Sequence, residues 1–299
     1  MKYKTKIRFI ALGLSMMAVF SGCAATSSSK ENKISIDGKE RHFLLYRPSH
    51  LSTQSPVPLV VVLHGGFGTA EQAEKFYGWD KEADAHGFVV VYPNGYQRSW
   101  NAGGICCGKA MKENINDLQF VTEVIERVSR TENIDRRRIY LTGISNGAAL
   151  AYRYACEGSY PIAAVGSVAG SLSTGCAHPR AVSVMEIHGP DDQNIPLAGG
   201  VGSKGVSKVD WLPVQQTINI FRNADQCATA SLQQDGGVQA AVSLCPQGRK
   251  VALFTVNGAG HQWPGSKHYN TLAGMLLPLD QPSDALDATD VLWQFFSGQ

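Results

Sequence analysis

Ser145 stands in Gly143-Ile144-Ser145-Asn146-Gly147, a Gly-x-Ser-x-Gly pattern, and His261 and the adjacent Asp191 and Asp192 lie further along the chain. A serine hydroxyl is a weak nucleophile until a base takes its proton, and it must stand clear of the backbone to reach a carbonyl carbon. The two glycines leave positions without side chains, where a strained strand-to-helix turn can pack. The apolar run Ile139-Tyr140-Leu141-Thr142 before them reads as a strand, and Ala148 to Ala151 after them as a helix of small residues able to sit close to a sheet. The chemistry such a set could do is acyl transfer: the serine attacks a carboxylic ester, an imidazole shuttles its proton, and a carboxylate fixes the imidazole tautomer. The other reading of Ser145 is a structural turn serine.

Attack on an ester places negative charge on the carbonyl oxygen, which two preorganised backbone N–H groups must meet. One is expected from Asn146, the residue after the serine. The other is expected from Gly66 or Phe67, in the loop His64-Gly65-Gly66-Phe67-Gly68 that follows the apolar run Leu59 to Leu63. His64 follows an early strand and is expected to hold that loop rather than act as base. Four histidines follow Ser145: His178, His188, His261 and His268. His261 comes directly after the apolar run Val251 to Val256, where a loop at the carboxyl edge of a late strand would carry it, and it is the expected base. His188 ends a strand and is expected to pack, while His268 has no strand leading into it. The carboxylate is expected after the run Val182 to Ile187, in His188-Gly189-Pro190-Asp191-Asp192, and the pattern leaves both aspartates open.

The elements that must position these residues follow from the spacing of apolar residues. Strands are predicted near 41–46, 58–64, 88–92, 138–143, 163–168, 182–188 and 250–256. Ile115, Leu118, Val121, Ile125 and Val128 recur at three- and four-residue steps and predict an amphipathic helix over 116–130. Further helices are predicted at 210–223 and 284–297. Short Val/Ile-rich runs alternating with helices mark an α/β chain, with a mostly parallel central sheet and helices on both faces. With the Ser, Asp, His order, the expected fold is that of the α/β-hydrolases. The Gly-rich segment Ala198 to Val209 and the segment Pro264 to Pro282 are long enough to be binding walls or lids.

The chain has 299 residues, 43% hydrophobic and 17% charged, with a formal charge of +2. That balance gives no reason to expect a nucleic-acid partner. Lys2, Lys4, Lys6 and Arg8 precede an apolar stretch, Phe9 to Phe20, followed by Ser21-Gly22-Cys23. The stretch is about 12 residues, short of the roughly 20 that span a bilayer, so residues 1–22 read as a lipoprotein signal peptide with Cys23 as the acylated first mature residue. Cleavage near Ala24-Ala25 is the plainer alternative. Residues 23–33 read as a flexible tether and 34–299 as one catalytic domain, exported and anchored in a membrane by its lipid.

Six further cysteines, Cys106, Cys107, Cys156, Cys176, Cys227 and Cys245, suit disulfides in an exported chain. Sequence proximity favours Cys156 with Cys176 and Cys227 with Cys245, which leaves Cys106 with Cys107 by elimination, although six cysteines allow fifteen pairings. Their spacing is not that of a zinc site, and neither a metal nor an organic cofactor is expected.

Several motifs taken together are more specific: Leu63-His64-Gly65-Gly66, Tyr92-Pro93-Asn94-Gly95, Ser99-Trp100-Asn101-Ala102-Gly103 with Cys106-Cys107-Gly108, the Ser145 pentapeptide, and Gly260-His261-Gln262-Trp263-Pro264. The set, over residues 34 to 297, resembles the extracellular polyhydroxybutyrate depolymerase family, with its feruloyl and acetylxylan esterase relatives. The resemblance implies a serine esterase acting on short-chain, hydroxyalkanoate, or feruloyl and acetyl polysaccharide esters. It favours Asp192 over Asp191, and suggests that Trp263 and Trp100 line the substrate site, the alternative for both being buried scaffold. Asp117 is expected to serve a helix N-terminus. A non-catalytic surface lipoprotein and a serine peptidase of the same fold are the competing readings.

Overall fold

A computed structural model describes residues 28–267 and 279–299. Cys23, the leader, His268 and most of the Pro264 to Pro282 segment lie outside the described residues. The described strands form one ten-stranded sheet in the order β1-β2-β4-β3-β5-β6-β7-β10-β9-β8. Its centre is parallel: β3 (Val57–Leu63), β4 (Val89–Pro93), β5 (Ile134–Ile144), β6 (Ala164–Val168), β7 (Ser183–His188) and β10 (Lys250–Val256). Antiparallel pairs close both sides, β1 (Lys30–Ile36) with β2 (Lys39–Tyr46), and β8 (Ser231–Asp235) with β9 (Val238–Leu244).

Alternate residues of each central strand feed opposite cores, as a sheet covered on both faces requires. Leu59, Val61 and Leu63 join the core under α4 (Asp117–Thr131), α5 (Asn146–Glu157) and α6 (Val214–Ala224). Val60 and Val62 join the core under α1 (Ala70–Tyr77), α2 (Trp79–His86) and α7 (Ala288–Ser297). Each such side chain, fully buried, contributes about 1.5–3 kcal/mol of transfer free energy. β3 starts the parallel block and its neighbours β4 and β5 lie on opposite sides, so connections leave in opposite directions there and open a crevice beyond the strand ends.

The fold class and the seven expected strands agree with this arrangement, and three differences are instructive. Strand β1 begins at Lys30, inside the segment read as tether, and pairs with β2 through the whole register Lys30↔Leu45 to Ile36↔Lys39. It was hidden because its residues are mostly exposed and polar, so backbone pairing rather than apolar alternation makes the strand. The β8–β9 hairpin was hidden for the same reason, β8 being exposed throughout. Asp117 opens α4 but does not cap it: Asn116 accepts from the Gln119 amide. The buried Asp117 carboxylate accepts instead from Arg41 Nη2 and the Asn101 amide, both at 2.7 Å, and so ties β2 to the loop before α3 (Gly108–Lys112). All three disulfides follow the pairing expected from sequence proximity.

Asp80 on α2 accepts from the Tyr92 hydroxyl at 2.6 Å. Burial, reinforced by the nearby Glu74 and Asp84 carboxylates, pushes its pKa from 3.8 up to about 7. The folded chain therefore keeps a proton here that the unfolded chain has lost, and this group's contribution to stability falls as pH rises from about 4 to about 7. Asp80→Asn should melt higher than the native chain at pH 7, by about 2 °C or more, with the gap closing towards pH 4; a gap that stays constant with pH would refute this titration.

Candidate active site

Ser145 sits at φ 57°, ψ −122°, between the end of β5 and the first residue of α5. Such a conformation is costly for a side-chain-bearing residue and persists only where its surroundings enforce it. Enforcement comes from close backbone packing: a Cβ on Gly147 would stand 2.5 Å from the carbonyl oxygens of both Leu63 and His64. The Ser145 amide also donates to the Val168 carbonyl at 3.0 Å. The turn thus presses against the end of β3 on one side and β6 on the other.

His261 Nε2 lies 2.8 Å from Ser145 Oγ, and His261 Nδ1 lies 2.7 Å from Asp192 Oδ2. The geometry separates the two aspartates, since Asp192 is buried in contact with the imidazole and Asp191 is exposed. Asp192 Oδ1 accepts from the amides of Asn194 and Ile195, at 2.8 and 2.9 Å. Burial pushes the Asp192 carboxyl up, but the charge and hydrogen bond of His261, the charge of His188 and the Ile195 amide outweigh it and hold it below its ordinary value. The loops carrying Asp192 and His261 touch at Gly189, where a Cβ would fall 2.0 Å from the Ala259 carbonyl oxygen.

His188 was expected to pack, and it does so as part of a buried charge network. Its Nδ1 is 2.7 Å from Glu186 Oε1, and its Nε2 is 2.9 Å from the Ile195 carbonyl and 3.5 Å from Asp192 Oδ2. Glu186 in turn accepts from the Gly170 amide at 3.0 Å and the Tyr152 hydroxyl at 2.8 Å. Every group facing the ring nitrogens is an acceptor, so a neutral imidazole would turn a lone pair towards an oxygen. The arrangement suits an imidazolium held between two carboxylates. Burial pushes the His188 pKa down, yet the hydrogen bond and charge of Glu186 and the charge of Asp192 carry it above its ordinary value.

Phe67 does not have a free amide: it donates to the Arg98 carbonyl at 2.8 Å. Gly66 N–H has no acceptor among the described residues, and Asn146 opens a helix whose first amides lack partners inside it. Gly66 and Asn146 both line the cleft beside Ser145. The Asn146 side chain clasps the backbone of Trp100, accepting its N–H at 2.7 Å and donating to its carbonyl at 3.0 Å. His64 accepts the Gly95 amide at Nε2, 2.9 Å, so Nδ1 carries the proton given to the Gly65 carbonyl at 2.7 Å. Burial pushes the His64 pKa to about 4, which keeps this loop-holding ring neutral.

The suggestion that Trp100 and Trp263 line the substrate site is corrected. Both are fully buried and neither borders the cleft. The Trp100 indole donates to the His64 carbonyl at 2.8 Å, and Trp263 stacks on Tyr77 at 4.5 Å and donates to Thr289. Each indole N–H needs a buried acceptor, and the scaffold supplies one. The aromatic side chains of the cleft are Phe67 and Trp211, and sequence reasoning missed Trp211 although it adjoins the Gly-rich segment. That segment contributes Val206, Lys208 and Val209 to a cleft of about 390 Å³. Also missed was Asp280, which accepts the His261 amide while its own amide donates to the His261 carbonyl, each at 2.8 Å. No motif marks it.

The network of His188 carries a sign that can be checked. With a folded value above 6.5, its stabilisation is complete below about pH 6.5 and is lost as pH rises through the folded value. Nitrogen-detected NMR should find more than half of the His188 rings protonated on both nitrogens at pH 6.5, where an ordinary imidazole is half protonated, and His188→Gln should cost about 3 kcal/mol at pH 6; a mostly singly protonated ring at pH 6.5 would contradict the assignment.

Comparison with known proteins bears on the family and the fold. The profile of the family described as "Esterase PHB depolymerase" matches residues 42–242, more than half of the chain. "Putative esterase NocK" of Nocardia uniformis subsp. tsuyamanensis is 27% identical over 81% of this chain and 75% of its own length. The bifunctional acetylxylan esterase/xylanase XynS20E of Neocallimastix patriciarum is 31% identical over 52% of this chain, and feruloyl esterase B of Piromyces equi 25% identical over 74%. The chain spans only 22% and 42% of those two proteins. Among solved structures, acetyl xylan esterase from Aspergillus awamori superposes with a TM-score of 0.57 at 12% identity, covering 90% of this chain and all of that one. TT1662 from Thermus thermophilus gives 0.52 at 16% identity, covering 91% of this chain and all of that one. These two likenesses bear on the fold, which is that of the α/β-hydrolases. The chain belongs to the PHB depolymerase family of esterases and is a carboxylic ester hydrolase.

Proposed function

We propose that the chain cleaves its esters through an acyl-enzyme on Ser145. The observation that carries this reading is the continuous path from Ser145 Oγ to His261 at 2.8 Å and from His261 to Asp192 at 2.7 Å, opening into a cleft. His261 Nε2 takes the hydroxyl proton as Oγ attacks the carbonyl carbon, and the amides of Gly66 and Asn146 receive the oxyanion. The imidazolium then gives the proton to the departing alcohol, and water deacylates the serine by the same steps in reverse. Asp192 keeps Nδ1 protonated and offsets the imidazolium charge. The substrates are small or oligomeric esters, whether short-chain acyl, hydroxyalkanoate, or feruloyl and acetyl groups on polysaccharides. These classes are supported by the family and by the printed activities of the feruloyl and acetylxylan esterase relatives.

Export and lipid anchoring at Cys23 belong to the same reading. Support comes from the basic-apolar-small order of residues 2–23 and from three disulfides among the described residues, which suit an oxidising compartment. Radiolabelled palmitate should enter the native chain and not a Cys23→Ser variant; equal incorporation would remove the anchor.

For the chemistry, a fluorophosphonate probe should label the native chain and leave Ser145→Ala unlabelled. Asp192→Asn should lower kcat on p-nitrophenyl acetate by about 10⁴-fold while Asp191→Asn changes it less than about threefold. Labelling that survives Ser145→Ala, or a larger loss at Asp191, would overturn the assignment.

A further inference from the structure

The overall charge of the chain is nearly balanced, 27 basic against 25 acidic residues, yet the cleft beside Ser145 is not. Four cations line it, Arg98, Lys109, Lys112 and Lys208, and no Asp or Glu does. None of the four forms an ion pair with a described residue. Residues 1–27 and 268–278 contain no Asp or Glu at all, so no carboxylate outside the described residues can neutralise them. Two acids close in sequence stay off the cleft: Glu113 is engaged by the Tyr96 hydroxyl at 2.7 Å, and Asp210 does not border it.

The cations are exposed, but buried neighbours fix where their stems start. Lys109 and Lys112 stand three residues apart on α3 and so share a face. Between them Ala110 is fully buried, and its amide donates to Ser99 Oγ at 3.1 Å. Arg98 donates from its guanidinium to the Phe67 carbonyl, which sets it against the loop that carries Gly66. Lys208 comes from a different segment of the chain and precedes the buried Val209. Deeper in, Ile195, Val209 and Trp211 make the cleft apolar, which suits the uncharged chain between a charge at the rim and Ser145.

We propose that this cleft selects esters that carry a carboxylate on the acyl or alcohol part, several bonds from the scissile carbonyl, with the four cations receiving that charge. The proposal rests on the reading that Ser145 is the nucleophile in this cleft. A distal carboxylate suits the arrangement physically: the cations draw it towards the rim, the apolar walls hold the intervening chain, and the scissile carbonyl reaches Ser145 and the amides of Gly66 and Asn146. Neutral esters of equal length gain the wall contacts alone.

Two matched pairs of substrates test it. On the acyl side, p-nitrophenyl hydrogen glutarate is compared with p-nitrophenyl methyl glutarate. On the alcohol side, 4-acetoxybutanoate is compared with its methyl ester. In at least one pair the anionic member should show kcat/KM about threefold or more above the neutral one at low ionic strength, and the advantage should shrink towards unity in about 0.5 M NaCl. The ratio of anionic to neutral kcat/KM in that pair should fall below one in the double variant Lys109→Glu/Lys112→Glu, and to an intermediate value in Lys208→Gln. Neutral esters cleaved as well as or better than the anionic ones in both pairs would sink the selectivity while leaving the esterase reading standing. Failure of the native chain to cleave any of the four would also sink the selectivity, and cleavage that survives Ser145→Ala would remove the reading beneath it.

Discussion

A carboxylate without water needs compensating charge and donors, and the buried side chain of Asp192 imposes that demand on most of the site. Four partners meet it: His261 from the loop after β10, the amides of Asn194 and Ile195 from its own loop, and His188 from the end of β7. They can converge only if β7 and β10 are neighbours in register, as the Thr255↔His188 pair records, and if the two loops approach without a side chain at Gly189. Taking a carboxylate out of water is expensive, so the value of these contacts lies in geometry rather than in net stability. Here that geometry is the orientation of the His261 ring, whose other nitrogen faces Ser145.

Behind this line of contacts lies a second layer. Tyr152 and Gly170 hold Glu186, Glu186 and Asp192 hold His188 between them, and the Ile195 carbonyl takes its remaining proton. The ring thus stands between two carboxylates, a setting that favours its protonated form. On the other side of the serine, the Asn146 side chain grips Trp100. The residue after the proposed nucleophile therefore serves twice: its backbone faces the cleft, and its side chain anchors the segment that leads to the Cys106–Cys107 disulfide and the basic helix α3. Rigid parallel strands hold the proposed reacting groups, and loops from both sides make the walls that decide what enters, a division common to α/β folds.

Much of the site was legible because its residues lie next to strong local signals. Ser145, His261 and the pair Asp191-Asp192 each follow an apolar run, and residues at strand ends are found by reading strands. The fold class was legible for the same reason, since Val- and Ile-rich runs alternate with amphipathic segments along the chain. Polar edge strands left no such trace. β1 and β8 are held by backbone pairing to a neighbour, which any sequence without proline can accept, and so they were invisible until the neighbour was in place.

By itself, then, the sequence determined the chemistry available to this chain and the order in which its parts arrive. Only the tertiary structure shows the contacts that adjacent candidates make: Asp192 rather than Asp191 meets His261, the Phe67 amide is engaged and that of Gly66 is not, and Phe67 and Trp211 rather than Trp100 or Trp263 border the cleft. It also brought together four cations from segments about a hundred residues apart, which an overall charge of +2 conceals. The physical reason is the same in each case. Residue type and spacing set what a group can do and which element bears it, but the partner of a hydrogen bond or a charge is fixed by contacts across the sheet, between residues that have no local relation in the chain.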